Sequence, residues 1–164
     1  MFSIIIPTFN NIEYLKITLN SILKNSKYNH EIIIHINEGI DGSLEYIKNN
    51  KFKYTYSEKN LGLCTSVNLA SKLASTNYIL YSHDDMYFCP GWDICLNDEV
   101  KKTYTEKFYL SASMIEQRSG HIQLDAGDSF NNFDDPSTFT HTTLNRPYCS
   151  GSKYIGGVQT LTTP

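Results

Sequence analysis

The sequence predicts an α/β fold, a sandwich with a largely parallel central sheet. Three observations carry that prediction. Short β-rich apolar runs alternate with segments whose apolar residues recur at helical spacing, the pattern of strand–helix–strand units. The connections are rich in Asn, Asp, Gly and Pro, which end strands and begin helices. The fourth apolar run, Tyr78-Ile79-Leu80-Tyr81, leads through Ser82-His83 into two adjacent carboxylates, Asp84 and Asp85. In open parallel sheets the C-terminal ends of the strands face the ligand crevice.

Phe2 to Ile6 reads as a buried central strand that Pro7 stops, because proline cannot donate to a ladder. Asn10 or Asn11 caps the next helix, with Glu13 placed for a capping box. Ile12, Leu15, Leu19, Ile22 and Leu23 form its inner face, and the helix fades near Asn25. Glu31 to Ile36 is the second strand. Asp41-Gly42-Ser43 is a turn capping a short helix that carries Leu44 and Ile47. Phe52 to Ser57 is the third strand, and Leu63, Val67, Ala70 and Ala74 mark one face of a third helix. Tyr78 to Tyr81 is the fourth strand, apolar and therefore buried. Pro90 suits the first turn of a further helix with Trp92 and Cys95 inward, and Phe108 to Ala112 reads as a fifth strand. Beyond Ser113 the pattern weakens into long polar loops, and no internal repeat is present.

The 164 residues suffice for one domain with a real core. With 40% apolar and 19% charged residues the chain is globular rather than disordered. A formal net charge of -3 with scattered Lys and Arg gives no nucleic-acid footprint. Cys64, Cys89, Cys95 and Cys149 match no zinc or CxxC spacing and are expected as reduced thiols in a cytoplasmic protein. No apolar run reaches the length of a transmembrane segment, and Met1-Phe2-Ser3 enters a strand without a basic leader.

Several segments, in order, resemble the family-2 type of nucleotide-sugar glycosyltransferase: Ile4-Ile5-Ile6-Pro7-Thr8-Phe9-Asn10, then Glu31-Ile32-Ile33-Ile34 with Asp41-Gly42-Ser43, then Asn60-Leu61-Gly62, then His83-Asp84-Asp85, then Cys89-Pro90-Gly91-Trp92. The resemblance covers roughly residues 2–112 and implies a GT-A fold, a Rossmann-like α/β/α sandwich. It implies a single domain over 1–164, with 1–112 binding the nucleotide sugar and 113–164 forming part of the acceptor side. Pro7, Thr8 and Phe9 would lie against base and ribose. Asn37 stands where relatives usually carry an Asp that bonds the base, with Glu38 beside it as a substitute. Gly62 would admit the nucleotide backbone closely. Val67 stands where relatives often have Arg, followed by the matching Asn68. Asp85 would ligate Mn2+ or Mg2+, and Asp84 would contact ribose or bind the metal through water.

The chemistry needs such a pair, because the departing nucleoside diphosphate gains charge that a divalent ion stabilises. An Asp pair alone is ordinarily a solvated turn; the strand before it and the motifs upstream favour the site. Asp134-Asp135-Pro136 has no preceding strand and reads as a turn, and His141 reads as a surface histidine. Inversion requires a general base within reach of the acceptor hydroxyl. Asp125, Asp128, Asp134 and Asp135 are the weak candidates, unranked. The resulting expectation is a metal-dependent inverting transferase that takes a UDP-, GDP- or TDP-linked sugar to a glycan or other hydroxyl acceptor. A non-catalytic nucleotide-sugar binding module is the alternative. An oxidoreductase would need GxGxxG after the first strand, where the chain has Pro7-Thr8-Phe9-Asn10-Asn11.

Overall fold

The computed structural model describes residues 1–104, 108–110, 114–115 and 158–160. Strand and helix alternate as expected: β1 (Ser3–Phe9), α1 (Ile12–Asn25), β2 (Glu31–Asn37), α2 (Ser43–Asn49), β3 (Lys53–Ser57), α3 (Leu63–Ser71) and β4 (Ile79–Tyr81). These strands form a four-stranded sheet in the order β3-β2-β1-β4, every neighbouring pair parallel. Parallel neighbours need a crossover, which a helix supplies each time. β5 (Met86–Phe88), α4 (Trp92–Lys101), β6 (Met114–Ile115) and β7 (Val158–Thr160) follow, and these three strands form a second sheet in the order β5-β7-β6. The chain divides into two compact units. One holds Met1–Thr18 and Tyr28–Asp84, the other Leu19–Lys27 and Asp85–Pro164.

In the first unit, β2 is buried from Ile32 to Asn37, as a strand covered on both faces must be. Ile5, Ile33 and Ala70 form a core against which Val67 and Ala74 pack. At the N-terminal edge of the sheet, Glu31 ties the strands together. Its carboxylate accepts from Ser3 Oγ on β1 at 2.5 Å, from Ser75 N at 2.8 Å and from Lys53 Nζ on β3. Partial burial opposes ionisation, yet the bonds from Lys53, Ser3 and Ser75 outweigh it and hold the carboxyl down to about 2.

Several local expectations change. β1 runs through Pro7 to Phe9. Ser3 N–H and Ile5 C=O bond toward the β4 side, so by the two-residue period Pro7 faces that side too. β4 pairing has ended by then, at Ile5↔Tyr81, and no ladder bond is lost. Among the described residues β4 lies at the end of the sheet, and it is not buried, with Ile79 53% and Tyr81 41% exposed. The cap of α1 comes from Asp41, whose carboxylate accepts the Ile12 N–H at 2.7 Å and the Ser43 N–H of α2 at 3.0 Å, while Glu13 pairs with Lys16. Leu23 and Leu63 are exposed; Ser66 is buried on α3 in place of Leu63. Gly91, after Pro90, caps α4.

The fifth strand is β5, directly after the acidic pair and too short to announce itself. Residues 108–110 belong to no helix or strand, and Ser111 and Ala112 lie outside the described residues. Cys95 is disulfide-bonded, whereas Cys64 and Cys89 carry free thiols. Short-range spacing cannot exclude a bond between cysteines distant in sequence.

Candidate functional site

The register Phe9↔Asn37↔Ser57 brings the C-terminal ends of β1, β2 and β3 level. The next residues turn sharply. Asn10 and Glu38 both adopt positive φ, 48° and 61°, rare for non-glycine residues and concentrated at functional sites. Their side chains meet: Asn10 Nδ2 donates to Glu38 Oε2 at 3.3 Å, and Asn10 Oδ1 accepts the Ile40 N–H at 3.0 Å.

Beneath this rim lies a polar layer. Asn37 is 3% exposed. Its Nδ2 donates to Thr8 O at 3.2 Å and Ser66 Oγ at 3.1 Å; its Oδ1 accepts from Leu61 N at 2.9 Å and Ser57 Oγ at 3.2 Å. An amide offers two donors and two acceptor sites, so the fold uses them all. Asn37 is a brace joining β1, β2, β3 and α3. His35 below it is fully buried, with Nδ1 2.7 Å from Thr55 Oγ1 and Nε2 3.2 Å from Ser57 Oγ. Burial lowers its pKa and favours the neutral ring.

Asp84 follows β4 at the same sheet edge. Ser82 N donates to Ile5 O at 3.0 Å. Thr8 Oγ1 donates to Asp84 Oδ2 at 2.6 Å, and Thr18 Oγ1 on α1 donates to the Asp84 backbone carbonyl at 2.7 Å. Burial pushes the Asp84 carboxyl up, and bonds from Thr8 and Asn11 offset this only partly. A positive charge beside it would favour the ionised form. Asp85 is half-buried and belongs to the second unit. His83 is exposed, its Nε2 3.0 Å from Tyr81 Oη.

Among the other expected residues, Pro7 and Thr8 are buried and Phe9 is 46% exposed at the strand end. Gly62, the N-cap of α3, has φ 75° and ψ 168°, a region essentially reserved for glycine. A Cβ there would meet nothing within 4 Å, so the backbone stands open. Asn68 is exposed on α3. Asp125, Asp128, Asp134, Asp135 and His141 lie outside the described residues.

Among the described residues no group of three or more His, Cys, Asp or Glu is arranged to hold a metal. Two adjacent carboxylates still fit Mg2+ or Mn2+. Such ions take oxygen donors and commonly use one or two protein carboxylates plus substrate phosphates. The pair would hold a cation together with a diphosphate rather than in a closed protein cage.

The sequence reading missed a polar stripe on α1. Thr18, Ser21 and Asn25 recur at i, i+3 and i+7 beside the apolar face, and all three are buried. Within the second unit, Ser21 Oγ accepts the Phe88 N–H at 3.0 Å, and Asn25 Nδ2 donates to Phe88 O at 2.6 Å. The signal was small polar residues repeating at helical spacing on the inner side of an amphipathic helix.

A parallel sheet with a braced carboxylate at its strand ends defines an open α/β protein. Residues 3–144 match glycosyl transferase family 2, and the chain belongs to that family. It is 36% identical over 92 residues to an uncharacterized glycosyltransferase of Rickettsia conorii, covering 52% of this chain and 15% of the relative. It is 32% identical over 91 residues to one of Rickettsia bellii, covering 52% and 13%. The chain thus spans a small part of these relatives' length. In fold it is similar to S. aureus TarS in complex with UDP-GlcNAc, with a TM-score of 0.63 and 20% identity over 76% of this chain and 37% of that one. A mannosyltransferase of Pyrobaculum calidifontis in complex with GDP-Man and Mn2+ gives 0.50 and 18% over 61% and 31%. These likenesses show the fold, of the GT-A type.

Proposed function

We propose that the chain is the donor-binding part of a glycosyltransferase that moves a sugar from a nucleoside diphosphate to a hydroxyl acceptor, with inversion and with a divalent cation. The observation that carries this is the Asp84 carboxylate, braced by Thr8 at 2.6 Å at the C-terminal edge of the sheet, in a chain of glycosyl transferase family 2. Residues 1–112 form the nucleotide-sugar half and 113–164 a partial acceptor half.

Asp85 is the proposed metal ligand, and Asp84 contacts ribose or reaches the metal through water. Pro7 and Thr8 shape the floor, and Phe9 offers an exposed ring to the base. Asn37 is the proposed polar base contact, with Glu38 beside it as a substitute. Gly62 lets the diphosphate approach the α3 backbone, and Asn68 on the same helix joins the donor contacts. Bound Mn2+ or Mg2+ supplies Lewis-acid stabilisation of the charge on the departing diphosphate. The acceptor proton passes to one of Asp125, Asp128, Asp134 or Asp135. The relatives' complexes make UDP- and GDP-linked sugars the first donors to try, followed by TDP-linked ones. The cytoplasm stays the proposed compartment on the free thiols of Cys64 and Cys89, and the Cys95 disulfide counts against it.

A thermal-shift screen of UDP, GDP and TDP with and without Mn2+ tests the reading, since a ligand of the folded state raises Tm by mass action. Asp85→Ala should abolish the metal-dependent shift while the protein stays folded. An unchanged shift in that variant overturns the assignment. Metal-dependent binding with neither donor hydrolysis nor transfer would make the chain a binding module.

A further inference from the structure

We propose that Thr18 is a positioning residue that sets the direction in which the chain leaves Asp84 for Asp85, an inference that rests on the donor-site reading above. Thr18 lies in α1, fully buried, on a helix face that also buries Leu15, Leu19 and Ile22. A buried hydroxyl costs free energy unless it is hydrogen-bonded. Thr18 Oγ1 donates at 2.7 Å to the backbone carbonyl of Asp84.

That carbonyl belongs to the peptide group that continues into Asp85. The peptide is planar, so fixing the direction of its C=O fixes the plane and the position of the next Cα. The same residue is held a second time, by its side chain, through Thr8 Oγ1 of β1 at 2.6 Å. The strand before it is pinned at Ser82 N to Ile5 O at 3.0 Å. Asp84 is thus gripped at its carboxylate by β1 and at its backbone by α1. A filler residue at position 18 would need only shape, which valine reproduces. A positioning residue needs the hydroxyl, which serine keeps.

Metal sites depend strongly on such outer partners, whose loss typically costs about 10–100-fold in affinity. The test is Mn2+ titration of the purified chain in the presence of UDP, followed by electron paramagnetic resonance of free Mn2+ and repeated with GDP. Thr18→Val should weaken Mn2+ about tenfold, and Thr18→Ser should restore it to within about twofold of the wild type. Ser21→Ala removes a hydroxyl from the same helix that bonds Phe88 N; it should lower Tm and leave Mn2+ affinity unchanged. If Thr18→Val does not fold, Thr18→Ala carries the same expectation. Wild-type Mn2+ affinity in Thr18→Val, with affinity lost in Asp85→Ala, overturns the positioning role and leaves the site standing. Equal Mn2+ affinity in wild type and Asp85→Ala overturns the site and this inference with it.

Discussion

Replacing Glu31 with glutamine should destabilise the protein by about 2–3 kcal/mol at neutral pH, and the loss should vanish in acid. The Glu31 side chain is 12% exposed and gathers hydrogen bonds from Ser3, Lys53 and Ser75. Its carboxyl falls from 4.5 to about 2 in the folded state, despite partial burial that opposes ionisation. At about 1.4 kcal/mol per pH unit, that depression corresponds to at most about 3–4 kcal/mol of linked stability. The half-exposed Lys53 is screened by solvent, which trims the figure toward about 2. The sign follows from the depressed pKa. Stabilisation is fully present above the unfolded value near 4.5 and is lost as pH falls toward about 2. Glutamine also turns an amide NH2 toward groups that are themselves donors. Urea denaturation of wild type and Glu31→Gln at pH 7 and at steps down to pH 2 reads the difference directly. A difference that stays constant across that range would refute the charge argument and leave only packing.

The remaining predictions concern the strand ends and the thiols. Gly62→Ala should cost about 1–3 kcal/mol from backbone strain alone, because the added methyl meets nothing and φ is 75°; urea midpoints check it, and no loss would mean the loop relaxes freely. Asn37→Ala strips partners from Thr8 O and Leu61 N and should cost about 2–4 kcal/mol. Its calorimetric Tm should fall even without nucleotide, whereas a variant impaired only in nucleotide binding would contradict the bracing role. Peptide mapping of the unreduced, denatured protein should alkylate Cys64 and Cys89 and leave Cys95 protected. Ready alkylation of Cys95 would return the chain to fully reduced thiols.

The strand–helix alternation was legible because periodicity is written locally: three isoleucines in β1, four in β2 and the 15-19-22 spacing of α1 leave few other folds. The motif order also carried the family. Partnerships between residues distant in sequence were not legible. Asp41 is 29 residues from the Ile12 N–H it caps, and Thr18 is 66 from the carbonyl it holds. The family resemblance marked Asn37 as a base contact, but its bracing of Thr8, Leu61, Ser57 and Ser66 was not legible. β4 looked buried because it is apolar, but apolarity does not say which of its residues the fold covers.

The sequence by itself determined the alternation of β1 to β4 with α1 to α3 and which acids stand at a strand end, since helix and strand periods and turn chemistry act over a few residues. Only the tertiary structure decided which hydroxyls grip Asp84 and which amide braces β1, β2, β3 and α3. Those outcomes depend on hydrogen bonds closed across the chain, and a buried polar group must find its partner wherever folding brings one.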